Sequence, residues 1–165
     1  MNVKHLLFSI SIVLPLLMVG CKESTPNQPV KRERLEPQFR EDGKLWIMRE
    51  QGKDTIREIR IEVVEKIKDI SYGMMFRKSM ADDTGMLFLM KQERPQSFYM
   101  KNTYVSLDII YISADKQIVS IAEKTEPLSE KSLPSGAPAL YVLEVPGGYC
   151  AKHGITRFHY VDFEF

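Results

Sequence analysis

The sequence predicts an α+β fold that is mostly β. We expect a single compact domain of short antiparallel strands, barrel-like or sandwich-like, with one or two short helices. Short apolar runs recur at hairpin-like intervals from about residue 44 onward, separated by Gly, Pro, Asp and Ser, which is the pattern of a β domain. Residues 65–77 depart from it, because their apolar positions recur at a helical spacing. The 165 residues fit one domain.

The first elements of this domain follow from local patterns. Residues 44–49 form a short apolar run that contains the only Trp, and residues 51–54 carry a turn signal. Residues 58–64 alternate between apolar and polar side chains, which predicts a half-buried strand. Residues 65–77 present an apolar stripe at helical spacing, so a short helix is expected there.

The rest of the chain predicts mainly strands. Residues 146–154 are expected to form one helical turn, and residues 158–165 close the domain. The run at 139–145 has apolar residues on both faces, which places it in the interior of the sheet. Strands are predicted at residues 86–90, 97–102, 107–113, 117–122 and 139–145.

The N-terminus predicts a lipoprotein signal over residues 1–20. A short basic region is followed by residues 6–19, which are apolar apart from two serines and a proline. This run is too short to span a bilayer as a helix, which needs about 20 apolar residues, and it fits an exported signal. Because Gly20-Cys21 follows directly, the segment resembles a bacterial lipoprotein signal. We expect lipid on Cys21 and a protein anchored in the cell envelope, facing the periplasm or the exterior.

Cleavage before Cys21 would change the net charge of the chain. Residues 1–20 contain one lysine and no acid, so the formal net charge falls from +1 to 0. A neutral chain lacks the basic surplus that nucleic-acid binding requires. Residues 21–44 are polar and mixed in charge, which predicts a flexible tether. Residues 45–165 form the domain, with Cys150 as its lone thiol.

A polar pair is predicted between two neighbouring strands. If residues 97–102 and 107–113 form a hairpin, Asn102 lies opposite Asp108 at the mouth of an apolar strip. Two polar groups in that position need partners. They make either a small polar site, with Arg77 or Lys101 nearby, or a structural staple.

Glu144 ends the strand that is predicted to lie inside the sheet. A carboxylate in that position needs a cation or a hydrogen-bond donor. Arg77 is the expected partner, either in a functional site or in a structural ion pair.

Two groups of residues have side chains that can bind metal ions. Six of the nine Met lie between residues 74 and 100, and thioethers bind soft metals such as Cu(I). The sequence contains no dense array of methionines, so core filling is the preferred interpretation.

Cys150 and His153 could form half of a zinc site or a nucleophile pair, but no second pair of ligands is visible. We therefore expect neither a metal nor a cofactor.

Five motifs between about residues 55 and 165 resemble a known family. They occur in order at residues 73–80, 85–88, 97–103, 107–112 and 141–144. Together they are similar to the bacterial and archaeal family called domain of unknown function 192. The resemblance implies a compact, mostly β domain that is often exported, and it implies no established reaction. The family usually has Trp at the position of Tyr99, Pro at that of Ser106 and Gly-Asp at those of Phe158 and His159.

The leading functional hypothesis is a non-enzymatic envelope lipoprotein domain that binds a small polar ligand or a protein partner. One alternative is a hydrolase or transferase acting on an envelope component, with Asp108 or His153 as the base. Another is a structural scaffold module. We expect a monomer that is attached to the membrane through Cys21 and binds no nucleic acid. The candidate ligand-binding residues, which are also the recurrent polar set that the resemblance implies, are Arg77, Lys101, Asn102, Asp108 and Glu144.

Overall fold

The computed structural model describes residues 36–165. A seven-stranded sheet and two short helices make up the regular structure of this part of the chain, which confirms the predicted mostly β class. The strands are β1 (Gly43–Glu50), β2 (Lys53–Val64), β3 (Thr84–Phe98), β4 (Leu107–Ile112), β5 (Ile118–Ala122), β6 (Leu133–Pro146) and β7 (Tyr160–Glu164), and the helices are α1 (Ile67–Tyr72) and α2 (Tyr149–His153).

The strands follow the order β5-β4-β6-β3-β2-β1-β7 across the sheet. Neighbouring strands are antiparallel, as predicted, except for β2 and β3, which are parallel. Parallel neighbours need a crossover connection, and here that connection contains α1. The sheet is not closed into a barrel. Within the described residues its two edges meet at a single bridge, between Gln117 and Tyr160.

The two faces of the sheet are covered by different elements. On one face, Leu87 and Leu143 pack with Tyr149 and Cys150 of α2, and we call it the α2 face. On the other, strand residues such as Phe88 pack under Ile70 of α1 and the chain that follows it, and we call it the α1 face. β4 is buried at all six of its positions and β6 lies inside the sheet, as predicted.

The predicted hairpin between residues 97–102 and 107–113 is wrong. β3 ends at Phe98, which pairs with Leu133 of β6, and β4 lies between β5 and β6. The chain turns sharply after β3, and Asn102 has a φ of 55°, a left-handed conformation that does not occur in an extended strand. β6 therefore lies between β3 and β4 in the sheet, although residues 97–102 and 107–113 are close in sequence.

The predicted helix over residues 65–77 is shorter in the structure. α1 has six residues and stops at Gly73, which adopts a φ of 45°. A Cβ added at Gly73 would lie 3.2 Å from the ring of Phe88. The chain thus passes so close over β3 that a larger side chain would have to displace the ring.

Several N-terminal predictions lie outside the described residues, namely the signal, Cys21 and the tether up to residue 35. Residues 36–42 pack along the domain, where the Glu36 carboxylate accepts a hydrogen bond from the Lys78 amide at 2.7 Å. No helix in the described part of the chain is long and apolar enough to cross a membrane.

Candidate functional site

Two carboxylates lie in one row across the α1 face. Glu62 of β2 is in register with Met86 of β3, and Met86 is in register with Glu144 of β6. Residues in register on adjacent strands point to the same side, and adjacent strands are about 4.8 Å apart. The backbones at Glu62 and Glu144 are therefore roughly 10 Å apart. Both residues are about 5% exposed.

Arg77 is close enough to influence both acids electrostatically but hydrogen-bonds to one of them. Its Nη2 donates to both carboxylate oxygens of Glu62, at 3.0 and 2.8 Å. The side chain is buried, and its Nε has no hydrogen-bond partner. The sequence predicted Glu144 as the partner of Arg77, whereas the structure gives these hydrogen bonds to Glu62, because β2 brings that acid beside the guanidinium.

Glu144 is left as a buried carboxyl group with an unsatisfied oxygen. Its Oε2 is inaccessible to solvent and has no hydrogen-bond partner. Burial raises the pKa of Glu144 to about 8, although the charge of Arg77 acts to lower it. A buried polar atom without a partner is unfavourable and rare in folded proteins. Because its pKa is about 8, Glu144 is largely protonated at pH 7.

A pocket of about 170 Å³ opens beside Glu144, and we call it the Glu144 pocket. The chain at Gly73 forms part of its wall, since a Cβ added there would lie 3.8 Å from Oε2 of Glu144. Tyr72 and Tyr99 are half exposed. The lining residues are Ile70, Ser71, Tyr72, Gly73, Met74, Met75, Phe88, Met90, Ser97, Phe98, Tyr99, Thr103 and Glu144.

Two of the larger pockets, of about 280 and 450 Å³, are lined by Arg77. Charged groups in the larger one pair with each other. Arg40 contacts Asp42 at 2.9 Å, and Arg77 contacts Glu62 at 2.8 Å. That pocket is lined by charges of both signs, whereas the Glu144 pocket contains a single charged residue, an acid whose Oε2 is unpartnered.

Asn102 supports the wall of the Glu144 pocket from outside. Its carbonyl oxygen accepts a hydrogen bond from the Phe76 amide at 2.8 Å. Its Nδ2 also lies 3.9 Å from the sulfur of Met75. Asn102 thus connects the turn after β3 to the segment after α1, and both segments contribute residues to the pocket wall.

Lys101 lies on the surface next to this turn. Its Nζ contacts Glu130 at 3.2 Å, and both side chains are largely exposed. Exposed ion pairs contribute little to stability, because solvent screens them.

We expect Lys101→Ala to change the free energy of unfolding by less than about 1 kcal/mol in urea denaturation. Glu130→Ala is the matched control and should have the same small effect, whereas a loss above about 2 kcal/mol for Lys101→Ala would contradict this placement.

Asp108 lies away from the Glu144 pocket and is fully buried. Its Oδ1 accepts from the amides of Lys124 and Gly148, at 2.7 and 2.8 Å, and its Oδ2 accepts from the amide of Cys150 at 2.8 Å. The carboxylate therefore connects the chain after β5 with the beginning of α2. With both oxygens occupied, Asp108 is placed as a structural anchor.

The surroundings of Cys150 do not favour an activated thiol. Cys150 is fully buried, and its pKa is raised by burial and by the neighbouring Asp108. Burial and the charges of Arg57 and Lys152 lower the pKa of His153. Within residues 36–165 no cluster of three His, Cys, Asp or Glu side chains could hold a metal ion.

Sequence reasoning missed three residues of the site. Glu62 was assigned to the polar face of a half-buried strand, but the crossover through α1 covers the end of that face. Tyr72 gave no signal, since a single aromatic residue near a helix end is ordinary on a protein surface. For Tyr99, the tryptophan that the family usually has at this position was the available signal.

Comparisons with known proteins agree with this architecture. Domain of unknown function 192, described as "Uncharacterized ACR", matches residues 47–163. A candidate transcription regulator from Sinorhizobium meliloti 1021 is 31% identical with a TM-score of 0.69, over 73% of this chain and 92% of that one. A protein of unknown function from Novosphingobium aromaticivorans DSM 12444 is also 31% identical, with a TM-score of 0.67, over 72% of this chain and 83% of that one. No curated protein matches. The chain belongs to the family of domain of unknown function 192.

Proposed function

We propose that this chain is a membrane-anchored envelope lipoprotein whose β domain binds a small polar ligand in the Glu144 pocket, without catalysing a reaction. The observation that carries the proposal is Glu144, which lines an open pocket and whose buried Oε2 lacks a hydrogen-bond partner. Binding sites commonly combine apolar walls with a few well-placed polar groups. A ligand that donates to Oε2 would satisfy the one polar atom that the fold leaves unsatisfied there.

The surroundings of Asp108 do not support a role for it as a catalytic base. Asp108 is fully buried, and both its oxygens accept backbone hydrogen bonds. A general base must reach its substrate by a hydrogen bond, and the fully buried carboxylate of Asp108 is not accessible to one. The Sinorhizobium meliloti protein is described as a candidate transcription regulator, but the near-zero net charge of this chain gives no support for DNA binding.

The binding site can be tested by NMR of methionine methyl groups. Met74, Met75 and Met90 line the Glu144 pocket, whereas Met48 of β1 does not and serves as an internal control. The purified protein, labelled at the methionine methyls, is titrated with acetate, inorganic phosphate, glucose and tetramethylammonium. We expect at least one of these probes to shift the three pocket methyls while Met48 stays unchanged. If no probe does so at millimolar concentration, the pocket is not a ligand site.

The membrane anchor has a separate test. We expect Cys21→Ser to move the protein from the membrane fraction to the soluble fraction after cell lysis, because a thiol is needed to accept the lipid. Cys150→Ser is the matched control and should remain in the membrane fraction. Equal membrane retention of the Cys21→Ser protein would contradict anchoring through this residue.

A further inference from the structure

We propose that the ligand of the Glu144 pocket is an organic cation, whose primary or methylated ammonium group lies between the carboxylate of Glu144 and the rings of Tyr72 and Tyr99. This inference rests on the proposed function and adds the chemical class of the ligand. It follows from the charges that line the pocket, from its walls and from the state of Glu144.

The charge of the lining favours a cation. Glu144 is the one acid among the described residues that line the pocket, and none of them is Lys, Arg or His. Oε2 has no donor from the protein. An anion would meet a carboxyl group without a compensating base, whereas a cation would neutralise the ionised carboxylate and satisfy its oxygen. Pairing of this kind is what makes a buried charge tolerable.

The walls suit an organic ammonium better than a metal ion. Tyr72 and Tyr99 are 50% and 45% exposed and line the pocket, as does Phe98, whose ring contacts those of Phe88 and Tyr111. Aromatic faces attract ammonium groups through cation–π interactions, and the thioethers of Met74 and Met75 add polarisable apolar contact. Hard metal ions such as Ca²⁺ take six to eight oxygen ligands, and this pocket contains a single carboxylate.

Glu144 must lose its proton to pair with a cation, so binding is coupled to pH. The groups that face it are Arg77 from the segment after α1, Tyr111 from β4, and Tyr72 and Tyr99 in the lining of the pocket. The Tyr111 hydroxyl donates to the Leu133 carbonyl, and burial together with Glu144 raises the pKa of Tyr111. Arginine keeps its charge in proteins. Of Glu144 and Tyr111, Glu144 is therefore the group that changes charge near neutral pH.

The test is a titration with tetramethylammonium chloride, a cation that has no proton to lose, read from the methyls of Met74, Met75 and Met90. The affinity should increase about tenfold from pH 6 to pH 7 and become constant above about pH 8, since one proton is released for each cation bound. Sodium chloride controls for ionic strength. tert-Butanol, an uncharged molecule of similar shape, should bind at least about tenfold more weakly.

Two variants with matched controls locate the cation. Glu144→Gln should reduce the affinity at pH 8 by at least about tenfold, and exposed Glu50→Gln should leave it unchanged. Tyr99→Leu should weaken binding about two- to fivefold, which is the range of an exposed cation–π contact. Tyr104→Leu is its control, because Tyr104 is 49% exposed and does not line the pocket.

Each contrary result has a distinct meaning. Equal binding of tert-butanol, unchanged affinity of Glu144→Gln, or pocket methyls that respond to silver ion but not to tetramethylammonium would overturn the inference. If acetate, phosphate or glucose shifts the pocket methyls and tetramethylammonium does not, the cation proposal fails and the proposed function stands. If none of the probes shifts them, both proposals fail.

Discussion

Replacing Glu144 with glutamine is expected to flatten the dependence of stability on pH. The pKa of Glu144 is 4.5 in an unfolded chain and about 8 in the fold. Between these values the native state holds more protons than the unfolded state, so the free energy of unfolding falls as the pH rises. Relative to a protein with ionised Glu144, the protonated form is more stable. This extra stability is fully present below pH 4.5 and is lost as the pH rises to about 8. Its full size is on the order of 5 kcal/mol, since one pKa unit corresponds to about 1.4 kcal/mol.

The measurement is urea unfolding of the wild type and of Glu144→Gln in steps from pH 5 to pH 9. The difference between the two proteins should change steadily with pH, because glutamine does not ionise. Glu50→Gln is the matched control, as it removes an exposed acid at the end of β1, and it should give a profile parallel to the wild type. Parallel profiles for Glu144→Gln and the wild type would show that the Glu144 carboxyl group has an ordinary pKa.

Asp108→Asn should destabilise the fold by about 3 kcal/mol or more. The carboxylate accepts three backbone hydrogen bonds in a fully buried position. An amide replaces one of its oxygens with a donor, which then faces a backbone N–H. Hydrogen bonds to charged groups contribute roughly 1.5–3 kcal/mol each, and the N–H left without an acceptor adds to the loss.

This loss can be measured by urea unfolding at a fixed pH near 7. Exposed Asp115→Asn, in the connection between β4 and β5, is the matched control and should stay within about 0.5 kcal/mol of the wild type. A variant Asp108→Asn that is as stable as this control would contradict the anchoring role. It would also reopen the question of a functional role for Asp108.

Local patterns predicted most of the strands but failed where pairing is decided at long range. The alternation in β2 and the apolar run of β6 are visible in a few residues. The partners of β4 are not, because β6 enters the sheet beside β4 from more than 20 residues further along the chain. The left-handed conformation of Asn102 has no strong sequence signal, and without it residues 97–102 look like the first half of a hairpin.

The sequence predicted which polar residues belong to the candidate site better than it predicted their burial and their partners. Arg77 and Glu144 stood out as charged residues beside apolar strands, and the fold buries both. Lys101 and Asp108 carried equal weight in the sequence, yet the first is exposed and the second is anchored to backbone amides. Burial and hydrogen-bond partners distinguish these four residues, and both depend on the crossover through α1 and on the position of α2.

The most direct test of the Glu144 pocket is an NMR titration of the Glu144 side-chain carboxyl carbon, with and without tetramethylammonium. The structure predicts a midpoint near pH 8 for the free protein, and a lower midpoint when the cation is present, because the cation stabilises the ionised form. A midpoint near 4.5 that does not respond to the cation would contradict both the buried acid and its role in binding.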